Sequence, residues 1–191
     1  MEVEIEMFCP ASRQDWRQWL KENHSSKQSV WLVYYKKKSN VPSISWSEAV
    51  DEALCFGWID SKAMPLDEDK YRQFFSKRKP NSVWSKINKG KVEALIKEGL
   101  IERAGFESIE IAKKNGSWNI LDEVEELILP QDLEKAFEAN PNSKDYFLGL
   151  SKSIKKAILQ WIAMAKQEET RERRINQTAE LAGMKQKPKQ F

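Results

Sequence analysis

The chain has 191 residues, including eight Trp, two Cys and one His, and a formal net charge of +3. Its length suits one domain or a domain with a helical appendage, and its 40% hydrophobic content predicts a packed core. Two Cys residues and one His are too few for a zinc ribbon, a disulfide framework or a His-rich metal site. We therefore expect no metal and no cofactor.

The compartment follows from what the sequence does not contain. The first ten residues, MEVEIEMFCP, include no apolar run of signal-peptide length. No stretch approaches the roughly 18 apolar residues of a membrane helix. With two Cys and no signal, we predict a cytoplasmic protein without membrane insertion.

Strands and helices alternate in the first part of the chain. Ser12 and Asp15 form a capping arrangement before Trp16, Trp19 and Leu20, which recur at helical spacing. The predicted elements are a strand over 2–7, a helix after Ser12 that stops near His24, a strand over Val30–Tyr35, a helix capped by Ser45 or Ser47 and ending near Gly57, and paired strands over Trp58–Met64 and Tyr71–Arg78.

From Ser85 the apolar spacing becomes helical. The predicted elements are a helix lined by Ile87, Val92, Leu95 and Ile96, a helix through Ala104 and Ala112, a connector over Trp118–Leu129, and helices over 132–139, 143–148, 151–166 and 168–181. We therefore predict an α+β fold, with a small, mostly antiparallel sheet packed with helices, then an all-α region. The predicted domains are 1–129 and 130–183, followed by a flexible tail over 184–191.

The segment from Lys70 to Val92 contains eight basic residues and no acidic one. Tyr71, Phe74, Phe75 and Trp84 are interleaved with them. Basic groups bind phosphates or carboxylates, and aromatic rings stack on bases or hold cations. An edge strand protected by charge, followed by an exposed helix, explains the same pattern without a ligand.

A sharp corner is predicted at CFGWIDS, residues 55–61. Asp60 could pair with Arg72 or Arg78 across the hairpin. Cys55 could act as a nucleophile only with His24 as its base, and a Cys between Leu and Phe is more often buried.

Two charged clusters are also visible. The acidic residues over 122–126 lack the ligand spacing of a calcium loop, which favours a solvated surface. The segment 168–175 alternates Glu and Arg at helical pair spacing. We favour a role for its arginines in docking the helical region onto the first part of the chain; an exposed helix is the alternative.

These segments resemble the YdeI/OmpD-associated family, also called bacteriocin-protection proteins. The matching segments are WLKENH (19–24), VWLVYYKK (30–37), SWSEAVDEALCFGWIDS (45–61), FSKRKPNSVWSKIN (75–88), KVEALIKEGLIERAG (91–105), AKKNGSW (112–118) and LSKSIKKAILQWIAMAKQEETRERRI (150–175). The resemblance implies a bacterial, cytoplasmic, stress-associated protein, with a first part similar to the YjbR/CyaY-like group. It supplies no reaction and no catalytic residues. Lys77 replaces a proline usual in the family's basic turn.

The predicted ligand site combines polar and aromatic residues of these motifs: Trp58, Asp60, Arg72, Arg78, Ser82, Trp84 and Asn88. Core anchoring by the two Trp residues, with Asp60 and Arg78 as a structural pair, is the alternative.

We predict a binding protein with a basic, aromatic cleft for a small anionic ligand or a protein partner. One alternative is nucleic-acid binding through Lys70–Lys91 together with Arg171, Arg173 and Arg174. Another is an enzyme that uses Asp60 or Cys55. The oligomeric state is not predicted. Because like charges repel, a basic cleft disfavours direct capture of cationic peptides.

Overall fold

The computed structural model describes residues 5–191. They form two compact units, which divide between Ser117 and Trp118. This division falls earlier in the chain than the predicted boundary after residue 129.

The first unit contains a four-stranded sheet and four helices among its described residues. Its elements are β1 (Met7–Phe8), α1 (Arg13–Asn23), β2 (Ser29–Tyr35), a 3-10 turn (Lys37–Ser39), α2 (Trp46–Cys55), β3 (Trp58–Pro65), β4 (Lys70–Lys77), α3 (Lys86–Lys97) and α4 (Arg103–Lys114). The second unit contains α5 (Asp122–Glu125), α6 (Gln131–Glu138), α7 (Ser143–Gly149), α8 (Lys152–Ala163) and α9 (Glu168–Gly183).

The sheet has the strand order β1-β2-β4-β3. The β1–β2 pair is parallel, whereas β2–β4 and β3–β4 are antiparallel. The predicted α+β class is confirmed, and so is the hairpin of β3 and β4. Of the strand predicted over 2–7, residues 2–4 lie outside the described residues, and the observed strand begins only at Met7.

Side-chain caps determine where three helices of the first unit begin. Capping boxes join Ser12 to Asp15 at α1 and Ser45 to Glu48 at α2. Of the two predicted caps, Ser45 is therefore the cap of α2. Ser85 caps α3 by accepting the N–H of Asn88. Each cap satisfies backbone donors that a helix otherwise leaves without a partner.

Helix α1 covers one face of the sheet with aromatic contacts. The Trp16 ring lies 5.4 Å from that of Phe75, and the Trp19 ring lies 5.8 Å from that of Trp58. The helix predicted after Ser85 is α3, and the apolar residues assigned to it differ in burial. Val92 and Leu95 are buried, whereas Ile87 is 70% exposed and Ile96 is 40% exposed.

The second unit is helical, as predicted for the C-terminal region. The segment predicted as a connector over Trp118–Leu129 contains α5, whose Val124 is buried. Helix α9 packs against α6, α7 and α8. Arg171 forms an ion pair with Asp132, and both residues belong to this unit. The Phe191 ring lies 5.8 Å from the ring of Trp161.

None of the described helices combines the length and the apolar character needed to cross a membrane.

Candidate functional site

A cleft of about 380 Å³ opens on the first unit beside the sharp corner after α2. We call it the basic cleft. Its walls come from four segments: the end of α1, the corner, the turn after β4, and one face of α4. The lining residues are His24, Ser25, Phe56, Gly57, Trp58, Lys77, Arg78, Lys79, Pro80, Ala104, Glu107, Ser108 and Ile111.

Two glycines bring the corner and α4 together. Gly57 has a φ of +70°, and a Cβ there would lie 2.8 Å from the carbonyl oxygen of Ala104. A Cβ on Gly105 would lie 2.4 Å from the carbonyl oxygen of Cys55, which accepts the N–H of Glu102. Only glycine fits at such a close backbone approach. The close contact between the corner and α4 therefore places Ser108 in the wall of the cleft.

Arg78 holds the opposite wall. Its backbone N–H donates to the carbonyl of Gly57 at 2.9 Å, which fixes the turn after β4 against the corner. Its guanidinium carbon lies 3.6 Å from the ring centroid of the buried Trp84, and Nη1 donates to the carbonyl of Val83. Burial lowers the pKa of Arg78 to about 10, against the opposing effect of the Asp60 charge. The guanidinium therefore remains protonated at neutral pH.

Three buried donors in this cleft have no hydrogen-bond acceptor among the described residues. They are Trp58 Nε1, Arg78 Nε and Ser108 Oγ. Two other buried side-chain atoms in the described chain share this property, Tyr34 OH and Arg72 Nε. Buried donors are almost always satisfied in folded proteins, so three such donors among the residues of one cleft set it apart from the rest of the described chain.

The rim of the cleft is mainly basic. Lys77 and Lys79 flank Arg78, and Glu107 is the carboxylate among the lining residues. Lys77 Nζ donates to the carbonyl of Ser25 at 2.7 Å, which ties the turn to the end of α1. His24 ends α1 as predicted, and its Nδ1 donates to the carbonyl of Leu20.

The predicted site residues do not all meet. Trp58 and Arg78 line the cleft, and Trp84 lies beneath the Arg78 guanidinium. Ser82 belongs to the adjoining turn, where its Oγ accepts the N–H of Lys79. Asn88 lies in the first turn of α3.

Asp60 and Arg72 occupy opposite faces of the sheet, so the predicted pairing of these two residues is wrong. Asp60 Oδ2 accepts the indole N–H of Trp46 and the amide of Gln73. The Arg72 guanidinium lies over Trp31 on the other face. Side chains alternate along β4, which separates Arg72 from the Gln73 side.

Cys55 is fully buried at the end of α2. Burial, reinforced by the charge of Glu52, raises the pKa of its thiol to about 11. A thiol in this state is not the thiolate that nucleophilic catalysis requires. The residue has a structural role instead, because its backbone carbonyl oxygen accepts the N–H of Glu102 and lies against Gly105 of α4.

Sequence reasoning missed Ser108 as part of the site, and it considered His24 as a helix end or as a base for Cys55 but not as a residue lining a cleft. Ser108 lies on α4, far along the chain from the corner, and its own segment carries no motif. Gly57 and Gly105 were the available signal, since a Cβ at either position would collide with the backbone of the other segment.

Comparison with known proteins shows that two segments of the sequence match family models. Residues 8–108 match the model described as Domain of unknown function (DUF8412), and this span includes all but one of the cleft residues. Residues 126–183 match the model described as Bacteriocin-protection, YdeI or OmpD-Associated, which confirms the predicted resemblance there. No curated protein and no solved structure matches the chain. The chain thus belongs to the DUF8412 family, and its C-terminal helices carry the YdeI or OmpD-associated domain.

Proposed function

We propose that the first unit binds a small anionic ligand, bearing a phosphate or a carboxylate, in the basic cleft. The observation that carries this proposal is the set of three buried donors without acceptors: Trp58 Nε1, Arg78 Nε and Ser108 Oγ. An unsatisfied buried donor costs about 1–3 kcal/mol. A phosphate or carboxylate presents several acceptor oxygens to such donors at once.

The charge of Arg78 supports the same ligand class. Among residues 5–191, no carboxylate lies within ion-pair distance of its guanidinium. Stacking on Trp84 orients this cation and leaves Nε without a partner. A cation that has lost its hydration without a counter-ion is stabilised by an anionic ligand.

The dimensions favour a small molecule. A volume of about 380 Å³ lies at the lower end of the range of small-molecule clefts, which is roughly 300–1,000 Å³. Phe56 and Ile111 supply an apolar wall for the uncharged part of the ligand. We expect the anionic group to face Arg78 and Ser108.

The description of the C-terminal match includes bacteriocin protection. A cleft lined by Lys77, Arg78 and Lys79 repels cationic peptides. Any protective role of this chain would then operate through the anionic ligand and not through peptide capture. Two free cysteines, Cys9 and Cys55, favour a reducing cytoplasm as the site of action.

A thermal-shift screen tests the proposal with inorganic phosphate, a nucleoside monophosphate, a hexose phosphate and a dicarboxylate. A ligand present at about 100 times its Kd adds about 2.7 kcal/mol to the unfolding free energy. For a chain of this length that corresponds to a rise in Tm of roughly 5–10 °C.

Arg78→Gln should abolish this shift, and Ser108→Ala should reduce it while leaving the fold intact. Arg72→Gln is the matched control, because it removes the same charge from the opposite face of the sheet. Circular dichroism of each variant establishes that it is folded. The proposal fails if no probe stabilises the wild-type protein, or if the shift survives in folded Arg78→Gln.

A further inference from the structure

One wall of the basic cleft is a stripe of helix α4 that carries a negative charge. The residues of this stripe repeat with the helical period, and they are Ala104, Glu107, Ser108 and Ile111. Glu107 therefore lies next to Ser108, whose buried hydroxyl we expect to meet the anionic group of the ligand. A carboxylate beside the expected position of an anion needs an explanation, because like charges repel.

The wall opposite α4 carries positive charge, from Lys77, Arg78 and Lys79. The corner at Gly57 contacts both walls. The backbone N–H of Arg78 donates to the Gly57 carbonyl at 2.9 Å, and a Cβ on Gly57 would lie 3.1 Å from the Cβ of Ser108. One residue of the corner thus separates the two charged walls at the base of the cleft.

The opposite charges do not neutralise each other across the cleft. Within residues 5–191, no ion pair joins Glu107 to any of the three basic residues of the facing wall. Glu107 pairs instead with Arg103, one turn earlier on the same helix, whose side chain is 93% exposed. Exposed ion pairs of this kind are weak, because water screens both charges. The Glu107 carboxylate, on a side chain that is 58% exposed, therefore stays available to a ligand in the cleft.

We infer that the basic cleft selects zwitterionic ligands, in which an ammonium group accompanies the phosphate or carboxylate. This inference rests on the proposed function and adds the residue that determines specificity. The anionic group meets Arg78 and Ser108, and the ammonium group meets Glu107. Walls of opposite charge complement a dipolar molecule, whereas a simple anion leaves Glu107 facing a like charge.

Two pairs of small molecules test the inference, because the members of each pair differ only by an ammonium group. They are aminopropyl phosphate with propyl phosphate, and β-alanine with propionate. Isothermal titration calorimetry of the full chain at neutral pH and low salt gives each Kd. In a pair that binds, we expect the member with the ammonium group to have a Kd about threefold lower, which is the effect of one partly exposed ion pair.

Glu107→Gln should change the two members of a pair in opposite directions. The zwitterion binds more weakly, because its ammonium group loses a partner and is still repelled by Lys77 and Lys79. The simple anion binds more tightly, because a like charge is removed. A variant that merely distorts the cleft weakens both. Glu110→Gln is the matched control, since it removes a 59% exposed carboxylate of α4 that does not line the cleft, and it should leave both Kd values unchanged.

Equal Kd values within a pair that binds, with binding lost in Arg78→Gln, would overturn the inference and leave the proposed function standing. A preference for the zwitterion that Glu110→Gln removes as fully as Glu107→Gln would overturn it too, because selection would then depend on net charge. Absence of binding by all the probes to the wild-type protein would also overturn it, and the thermal-shift screen then decides the proposed function separately.

Discussion

The guanidinium of Arg78 lies over the ring of Trp84, 3.6 Å from its centroid, and Arg78 in turn lines one wall of the basic cleft. The two residues come from the same turn, which begins where β4 ends and leads into α3. Trp84 is 2% exposed, so its ring serves the core on one side and Arg78 on the other. A tryptophan of the core and an arginine of the cleft wall thus form one stacked pair.

Replacement of Trp84 by Leu should lower the unfolding free energy by about 3 kcal/mol. The variant loses much of a buried aromatic side chain and the cation–π interaction with Arg78. Urea denaturation measures this change. The control is Trp46→Leu on the 47% exposed Trp46, which should cost about 1 kcal/mol because it mainly removes the hydrogen bond to Asp60. Equal destabilisation by both variants would contradict the packing role of Trp84.

Gly57→Ala should destabilise the first unit by more than about 2 kcal/mol. The new Cβ would sit 2.8 Å from the Ala104 carbonyl oxygen, at a positive φ that disfavours a side chain. Gly90→Ala is the control, because Gly90 is inside α3 with nothing within 4 Å of its Cβ position. We expect Gly90→Ala to stabilise the protein by about 0.5–1 kcal/mol. A harmless Gly57→Ala in urea denaturation would refute the close approach of the corner and α4.

Glu52→Gln should cost about 2–4 kcal/mol in the same measurement. The Glu52 carboxylate is 2% exposed and accepts from Arg13 Nε at 2.5 Å and Arg17 Nη1 at 2.6 Å. A neutral amide leaves two guanidinium groups without their shared counter-ion, and removing one partner of a buried pair is strongly destabilising. Arg103→Gln is the control for an exposed ion pair, because the Arg103 side chain that pairs with Glu107 is 93% exposed. We expect this variant to lower the unfolding free energy by less than about 0.5 kcal/mol. A Glu52 effect that small would mean that the buried pair does not hold α1 to α2.

The capping box of α2 should make stability depend on pH through Glu48. Hydrogen bonds from the Ser45 side chain and backbone lower the pKa of Glu48 below its usual value of 4.5. A carboxyl group whose pKa is lower in the folded state stabilises the fold at pH values above its unfolded-state pKa. This stabilisation is lost as the pH falls through the folded-state pKa. The unfolding free energy of the wild-type protein should therefore fall more steeply below about pH 5 than that of Glu48→Gln. Gln keeps the capping geometry, and parallel curves for the two proteins would show that Glu48 makes no such contribution.

The sequence alone predicted most of the local structure, because local structure depends on residues near in the chain. The strand over Val30–Tyr35, the cap at Ser12, a serine cap at Ser45 or Ser47 and the hairpin of β3 and β4 follow from alternation, hydrogen-bonding side chains and turn residues. Ile87 was assigned to α3 correctly but faces solvent, because a separation of five residues places it well away from Val92 around the helix. Periodicity shows which residues share a face but not how much of that face another element covers.

The sequence by itself also determined two members of the cleft, Trp58 and Arg78, from the concentration of basic and aromatic residues around one corner. Only the tertiary structure decided that Ser108 joins them and that Arg72 does not. The contact of Gly57 and Gly105 brings α4 to the corner across a long stretch of chain. The alternation of β4 turns Arg72 toward Trp31 and away from Asp60. Composition reveals which groups can bind an anion, whereas backbone packing and strand register determine which of them share a cleft.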